Sequence, residues 1–256
     1  MTVSGQQNRL PALTLVHQPK QLKRKFSIMN MLVRNLLFII ALLLVSSFVL
    51  VQSSTNGLEI IPRGFMKDYP REAYKLEVKY PEIRDSLQKM HFDINFEVNR
   101  IMATSITGFQ KKLQAEGGAN PDGYSYFFFD YRVKETPARF LSLQFNCKTF
   151  YFGAQLPVVR NYAVNYDLQQ QQIMDLASLF RPEIDWASQL AQVAARWQAS
   201  SPGNPASAGA FTITRQGLVL YFNGEAKGGT DRQLVIPWPE LAPLLNPEKA
   251  SDLLKN

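Results

Sequence analysis

The 256-residue chain is 46% hydrophobic and 12% aromatic, enough to pack a core and too much for a disordered polymer. Its net charge of +7 is unevenly placed. Arg9, Lys20, Lys23, Arg24, Lys25 and Arg34 give residues 1–52 a charge of +6 with no acidic residue, and the remainder carries only +1. A nucleic-acid binder carries its basic footprint on its folded surface, so that class is excluded.

Residues 1–30 lack helical periodicity and read as an unstructured basic segment, with Met1, Met29 and Met31 all open as the start. Residues 31–53 contain the uncharged run "LLFIIALLLVSSFVLV", Leu36 to Val51. Basic residues ahead of such a run hold the N-terminus in the cytoplasm and direct the downstream chain across a membrane. Sixteen residues fall between a signal-peptide core and a full span of about 20. A cleaved signal ending near Ser53 and an uncleaved anchor with the C-terminus outside both fit. Residues 54–73 read as a linker.

"LEVKYPEI" is a short strand that Pro81 ends or places at an edge. Ile94, Val98, Met102, Ile106, Phe109 and Leu113 make one apolar stripe, which predicts a helix from Asp93 to Gln114, capped by Asp93 and closed by Gly117-Gly118. The period then changes to two. "YSYFFFDYRV" and "RFLSLQFNCKTFYF" flank "KETPA" as a hairpin, and "VVRNYAVNYDL" is a third strand. Alternation puts Leu141, Leu143, Phe145 and Cys147 on one face, opposite Ser142, Gln144, Asn146 and Lys148. A second helix spans Glu183 to Ser200. "SSPGNPASAG" is a surface loop, "FTITRQGLVLYFN" a further hairpin, "RQLVIPW" a last strand, and "ELAPLLN" a short helix. The expected fold is α+β: a mainly antiparallel sheet of about six strands with two principal helices, over residues 74–248, preceded by the N-terminal apolar helix and followed by a tail, 249–256.

Catalytic sets are sparse. His91 is the only histidine after the apolar run, and Cys147, the only cysteine, falls on an apolar face. Neither a metal site nor a Ser-His-Asp or Cys-His hydrolase is indicated, no glycine loop marks a nucleotide, and no cofactor is expected. Paired carboxylates remain open: Asp167 and Asp175, with Glu183 and Asp185, are the groups a cell-wall hydrolase would use. The same residues suit helix caps and first turns. The aromatics from Tyr124 to Phe152 are sheet core or a sugar-stacking platform, and "FFF" at 127–129 must turn at least one ring to the second face.

"LEVKYPEI", the long helix, "LSLQFN", "YFGAQLP", "NYDLQQQQIMDLASLF", "ITRQGLVLYFN" and "LVIPWPELAPLL" follow one another in an order that resembles an envelope domain of unknown function, over roughly residues 74–246. That domain forms the extracellular part of the lysozyme-sensing anti-sigma factor RsiV and accompanies some peptidoglycan deacetylase domains. Here Gln155 stands where the family tends to have His, "QQQQ" replaces a Thr-Gly turn, and no deacetylase domain is present. The resemblance implies an exported, non-enzymatic bacterial envelope protein that binds a cell-wall glycan or an envelope protein. A single-pass sensor for a lysozyme-type ligand is the alternative. Along the matching crossing, Gly153, Gln155, Tyr162, Tyr166 and Asp167 are the candidate binding residues. The expected partners are the membrane, through 31–53 if uncleaved, and a wall glycan or protein, with no nucleic acid.

Overall fold

The computed structural model describes residues 57–85, 87, 91–115, 123–197, 205, 208–223 and 232–255. The apolar run, Gly117-Gly118 and most of "SSPGNPASAG" and "NGEAKGG" lie outside them. Among the described residues, no helix is long and apolar enough to cross a membrane.

The fold is α+β, as expected. Six strands form one sheet in the order β1-β2-β3-β4-β5-β6: β1 Leu58–Tyr69, β2 Tyr74–Asp85, β3 Ser125–Val133, β4 Phe140–Phe150, β5 Val158–Asp167 and β6 Gln172–Ile173. All neighbours are antiparallel except β2 and β3. Those two run parallel because α1, Phe92–Ala115, carries the chain back between them. A second sheet follows, β7 Ala210–Ile213, β8 Gly217–Phe222 and β9 Arg232–Pro237, in that order. Helix α2 is Trp186–Trp197, α3 Trp238–Leu241 and α4 Pro247–Leu253.

Two sequence expectations change here. Residues 58–69, placed in the linker, form a twelve-residue edge strand paired along its full length with β2. The pairing continues through Pro81, which stands opposite Pro62. Neither proline donates to the ladder, and past Val78 β2 has only β1 as a partner, so no β3 carbonyl is left waiting. The C-terminal tail is also ordered. Asn246 accepts from Glu248 N–H to cap α4, Pro247 follows it, and Leu253 is fully buried.

There are two cores. In the first, α1 lies over the inner face of the sheet, with Ile94, Val98, Ile101, Ser105 and Phe109 buried and Met102, Ile106 and Leu113 flanking them. Leu141, Leu143, Phe145 and Cys147 meet it from β4, on the face that the alternation predicts. Asn95 ties the helix to β2, its Oδ1 accepting from Ile83 N–H at 2.8 Å and its Nδ2 donating to Ile83 C=O at 2.7 Å. The second core gathers the small sheet, α2, α3 and α4 around Phe180, Trp238 and Leu241. Phe140 belongs to it although Leu141 belongs to the first, so adjacent β4 residues feed opposite cores.

Polar side chains join the two sheets. Ser142 Oγ donates to Asn165 Oδ1 at 2.5 Å and accepts from Ile213 N–H at 3.2 Å. Asn165 Nδ2 donates to Phe211 C=O, and Asn223 brackets the Asn161 backbone from both sides. The polar half of β4 is therefore buried and satisfied where the second sheet covers it.

Candidate functional site

Beyond that cover, the outer face of β2, β3 and β4 is open. A recess of about 330 Å³ is lined by Glu77, Phe128, Asp130, Arg132, Asn146 and Lys148, among others. Strand alternation builds it. Phe127 and Phe129 are buried on the inner face, each worth about 1.5–3 kcal/mol of burial, and the ring between them must turn outward. Phe128 is 42% exposed and stacks on Tyr126 at 6.1 Å. Tyr124 continues the row at 6.5 Å, with Lys75 Nζ 5.2 Å above its ring.

Registry puts charge and amides beside the rings. Met66, Glu77, Phe128 and Lys148 are successive cross-strand partners from β1 to β4. Lys79 pairs with Glu77 at 3.4 Å. Asn161 Oδ1 accepts from both Gln144 Nε2 and Asn146 Nδ2, at 3.1 and 3.2 Å, which fixes the two amides at one rim. Tyr131 lies at the edge, its phenol raised by burial and by Asp130. Ring faces, fixed amides and cations in one shallow recess suit a polar ring compound with a carboxylate or N-acyl group.

The five residues predicted for binding do not converge. Gly153 occupies the β4–β5 turn with φ +84°, a conformation a β-carbon disfavours, and Ala154 N–H closes that turn on Tyr151 C=O. Gln155 is exposed nearby. Tyr162 is half-buried beneath α1. Tyr166 and Asp167 lie at the far end of the ten-residue β5, about 30 Å away at the usual rise per residue. Tyr166 is buried with its ring edge-on to His91 at 5.0 Å, and burial, with Asp93 and Asp167 adding to it, raises its phenol.

Asp167 is fully buried and bound on all sides. Arg139 reaches it through Nη2 at 2.7 Å and Nε at 3.0 Å, and Gln169 and Gln170 N–H donate to its Oδ1. Burial alone would raise its carboxyl, but these bonds outweigh that and hold it below the ordinary range. Of the other carboxylates weighed for hydrolysis, Asp175 and Asp185 are occupied locally. Asp175 accepts from Ser178 N–H in a local turn, and Asp185 from Ser188 N–H at the start of α2. Among the described residues, no group of three His, Cys, Asp or Glu could hold a metal ion.

Arg139 escaped the sequence reading. Its guanidinium also donates to Glu248 C=O at 2.9 Å and to the Glu248 and Asp252 carboxylates, pinning α4 to the end of β5. A lone charge directly before the apolar "FLSL" was the available signal.

No family model matches the chain, and no curated protein matches it. Solved structures do. A DUF3298 family protein from Pseudomonas aeruginosa PAO1 is 12% identical with a TM-score of 0.54, the match covering 77% of this chain and 97% of that one. A DUF3298 family member from Bacteroides fragilis is also 12% identical with a TM-score of 0.54, covering 79% and 100%. At this identity the likeness is one of fold: the α+β domain shares its architecture with bacterial DUF3298 proteins.

Proposed function

We propose that this chain is a non-enzymatic protein of the bacterial cell envelope, exported through its 31–53 segment as anchor or signal, whose α+β domain binds a cell-wall glycan. The recess on the outer sheet face is the binding site. The observation that carries this reading is the exposed Phe128 ring, stacked on the half-buried Tyr126 and flanked by Asn146, Arg132 and Lys148. The rings offer a face to a sugar, the amides reach its N-acyl groups, and the cations meet the carboxylates of muramic acid and stem peptides. The sequence resemblance to the envelope domain of the anti-sigma factor RsiV supports the location. Its lysozyme-type ligand fits this recess less well, since a basic protein would meet Lys79, Arg132 and Lys148, which Glu77 and Asp130 offset only in part.

The test is calorimetric titration of the detergent-solubilised full chain with soluble peptidoglycan fragments. Phe128→Ala is expected to weaken binding about tenfold, at the upper end of what one aromatic contact contributes. Equal binding by the variant rules out the recess. Release of new reducing ends or acetate from the fragments rules out the non-enzymatic reading.

A further inference from the structure

A second cavity lies on the opposite face of the sheet, between α1 and β4–β5. It encloses about 210 Å³, several times the roughly 30 Å³ share of one water. Its walls include Ser105, Lys112, Cys147, Thr149, Arg160 and Tyr162. Gly108 of α1 lies at its exposed rim. A β-carbon at Gly108 would meet nothing within 4 Å, so a larger side chain there has room to enter the space. Glycine inside a helix forgoes about 1 kcal/mol relative to alanine, so its presence at the rim carries a cost in stability.

Three observations describe what this cavity accepts. Ser105 is 9% exposed, and its hydroxyl meets only the Cys147 thiol, with no oxygen or nitrogen partner among the described residues. Buried hydroxyls almost always find an oxygen or nitrogen partner, so this one has bonding capacity to offer a group that enters the cavity. Both charged lining residues, Lys112 and Arg160, are cations, and no carboxylate lines the cavity. Lys112 Nζ is held 4.4 Å over the Tyr151 ring at the rim, and Arg160 makes no ion pair among the described residues. The thiol at the back, Cys147, is inert: burial pushes it up to about 12, against the smaller opposing pull of Arg160 and of the nearby Ser105 hydroxyl. A thiol is at most a weak partner for that hydroxyl, which leaves its bonding capacity open.

We propose that this cavity binds a small oxyanion, a carboxylate or phosphate group, which Arg160 and Lys112 neutralise while the Ser105 hydroxyl donates to it. The site is independent of the outer recess, which faces the other side of the sheet. It opens beside Tyr151 and Val158, the two ends of the Gly153–Pro157 turn, so a ligand there contacts the crossing that the sequence marks out.

Isothermal titration of the full chain in detergent, at low chloride, tests the proposal with two probes, inorganic phosphate and acetate. The expected result is one saturable site for at least one of them. Arg160→Gln weakens it at least tenfold, the loss of one charge-assisted contact. Gly108→Leu fills the cavity and abolishes binding. Arg160 is exposed, so its variant folds even if the leucine variant does not. A preference for phosphate points to a phosphorylated ligand, and a preference for acetate to a peptide or acidic-sugar carboxylate. Phe128→Ala leaves anion binding unchanged, which separates this site from the glycan reading. No saturation by either anion, or Arg160→Gln binding as tightly as the natural chain, overturns the proposal.

Discussion

The two ends of β5 contrast in how their polar groups are met. At the Tyr166–Asp167 end, a buried carboxylate receives the Arg139 guanidinium and two backbone N–H groups, and Arg139 spends its other donors on α4. At the Val158–Tyr162 end, Arg160 has no carboxylate against it, and the Ser105 hydroxyl across the gap has only the weakly bonding Cys147 thiol beside it. Both ends hold charge beside a tyrosine, and sequence alone gives each an equal claim to function. Satisfaction separates them. A closed network has no capacity left for a ligand and serves to join elements, whereas unspent donors around a void have capacity to spare.

The largest test breaks the closed end. Asp167→Ala leaves the Arg139 guanidinium, 5% exposed, without its principal partner. Removing one member of a buried pair costs about 3–5 kcal/mol. Glu248 and Asp252 still reach Arg139, so the expected loss is about 3 kcal/mol, read from denaturant midpoints. A loss under 1 kcal/mol shows that the network contributes little.

Acid probes the same network without a mutation. The folded Asp167 carboxyl is held below its ordinary value, so near pH 4 the unfolded chain binds more protons than the folded one. Its contribution is complete above the unfolded pKa of about 3.9 and disappears as pH falls through the lower folded value. The stability gap between the natural chain and Asp167→Ala is therefore expected to stay constant above about pH 5 and to narrow below pH 4. A gap that widens on acidification reverses the sign and refutes the assignment.

Legibility in the sequence divides along the same line. Alternation assigned the inner face of β4 because Leu141 to Cys147 pack on an apolar helix, and period two is what such packing imposes. It missed that Ser142 and Gln144 are buried too, since polar side chains are buried only when distant groups such as Asn165 and Ile213 N–H meet them. β1 was missed because Pro62 and Gly64 break its pattern, which an edge strand tolerates and a central one does not. The open recess was partly legible: three consecutive phenylalanines cannot share one face. Arg139 was not, with partners 28, 109 and 113 residues away. Nor was Ser105, whose hydroxyl meets only a thiol 42 positions along the chain.

At the open end, Gly108→Ala is expected to stabilise the chain by about 1 kcal/mol through helix propensity, since the added methyl meets nothing within 4 Å. Thermal unfolding reads this as a higher Tm. A lower Tm means that the space is already filled and that the cavity is no vacancy for a ligand.

The smallest expected effect sharpens the comparison most. Arg160→Gln removes an exposed charge that forms no ion pair among the described residues, so stability should change by no more than about 0.5 kcal/mol. The same unfolding measurement that registers about 3 kcal/mol for Asp167→Ala should hardly register this one, although both remove a charged group from one strand. A loss above 1 kcal/mol makes Arg160 another fixed member of the fold, and the two ends of β5 then differ only in degree. A negligible loss leaves a cation that the fold does not need, held beside a cavity lined without a carboxylate and so available to an anion.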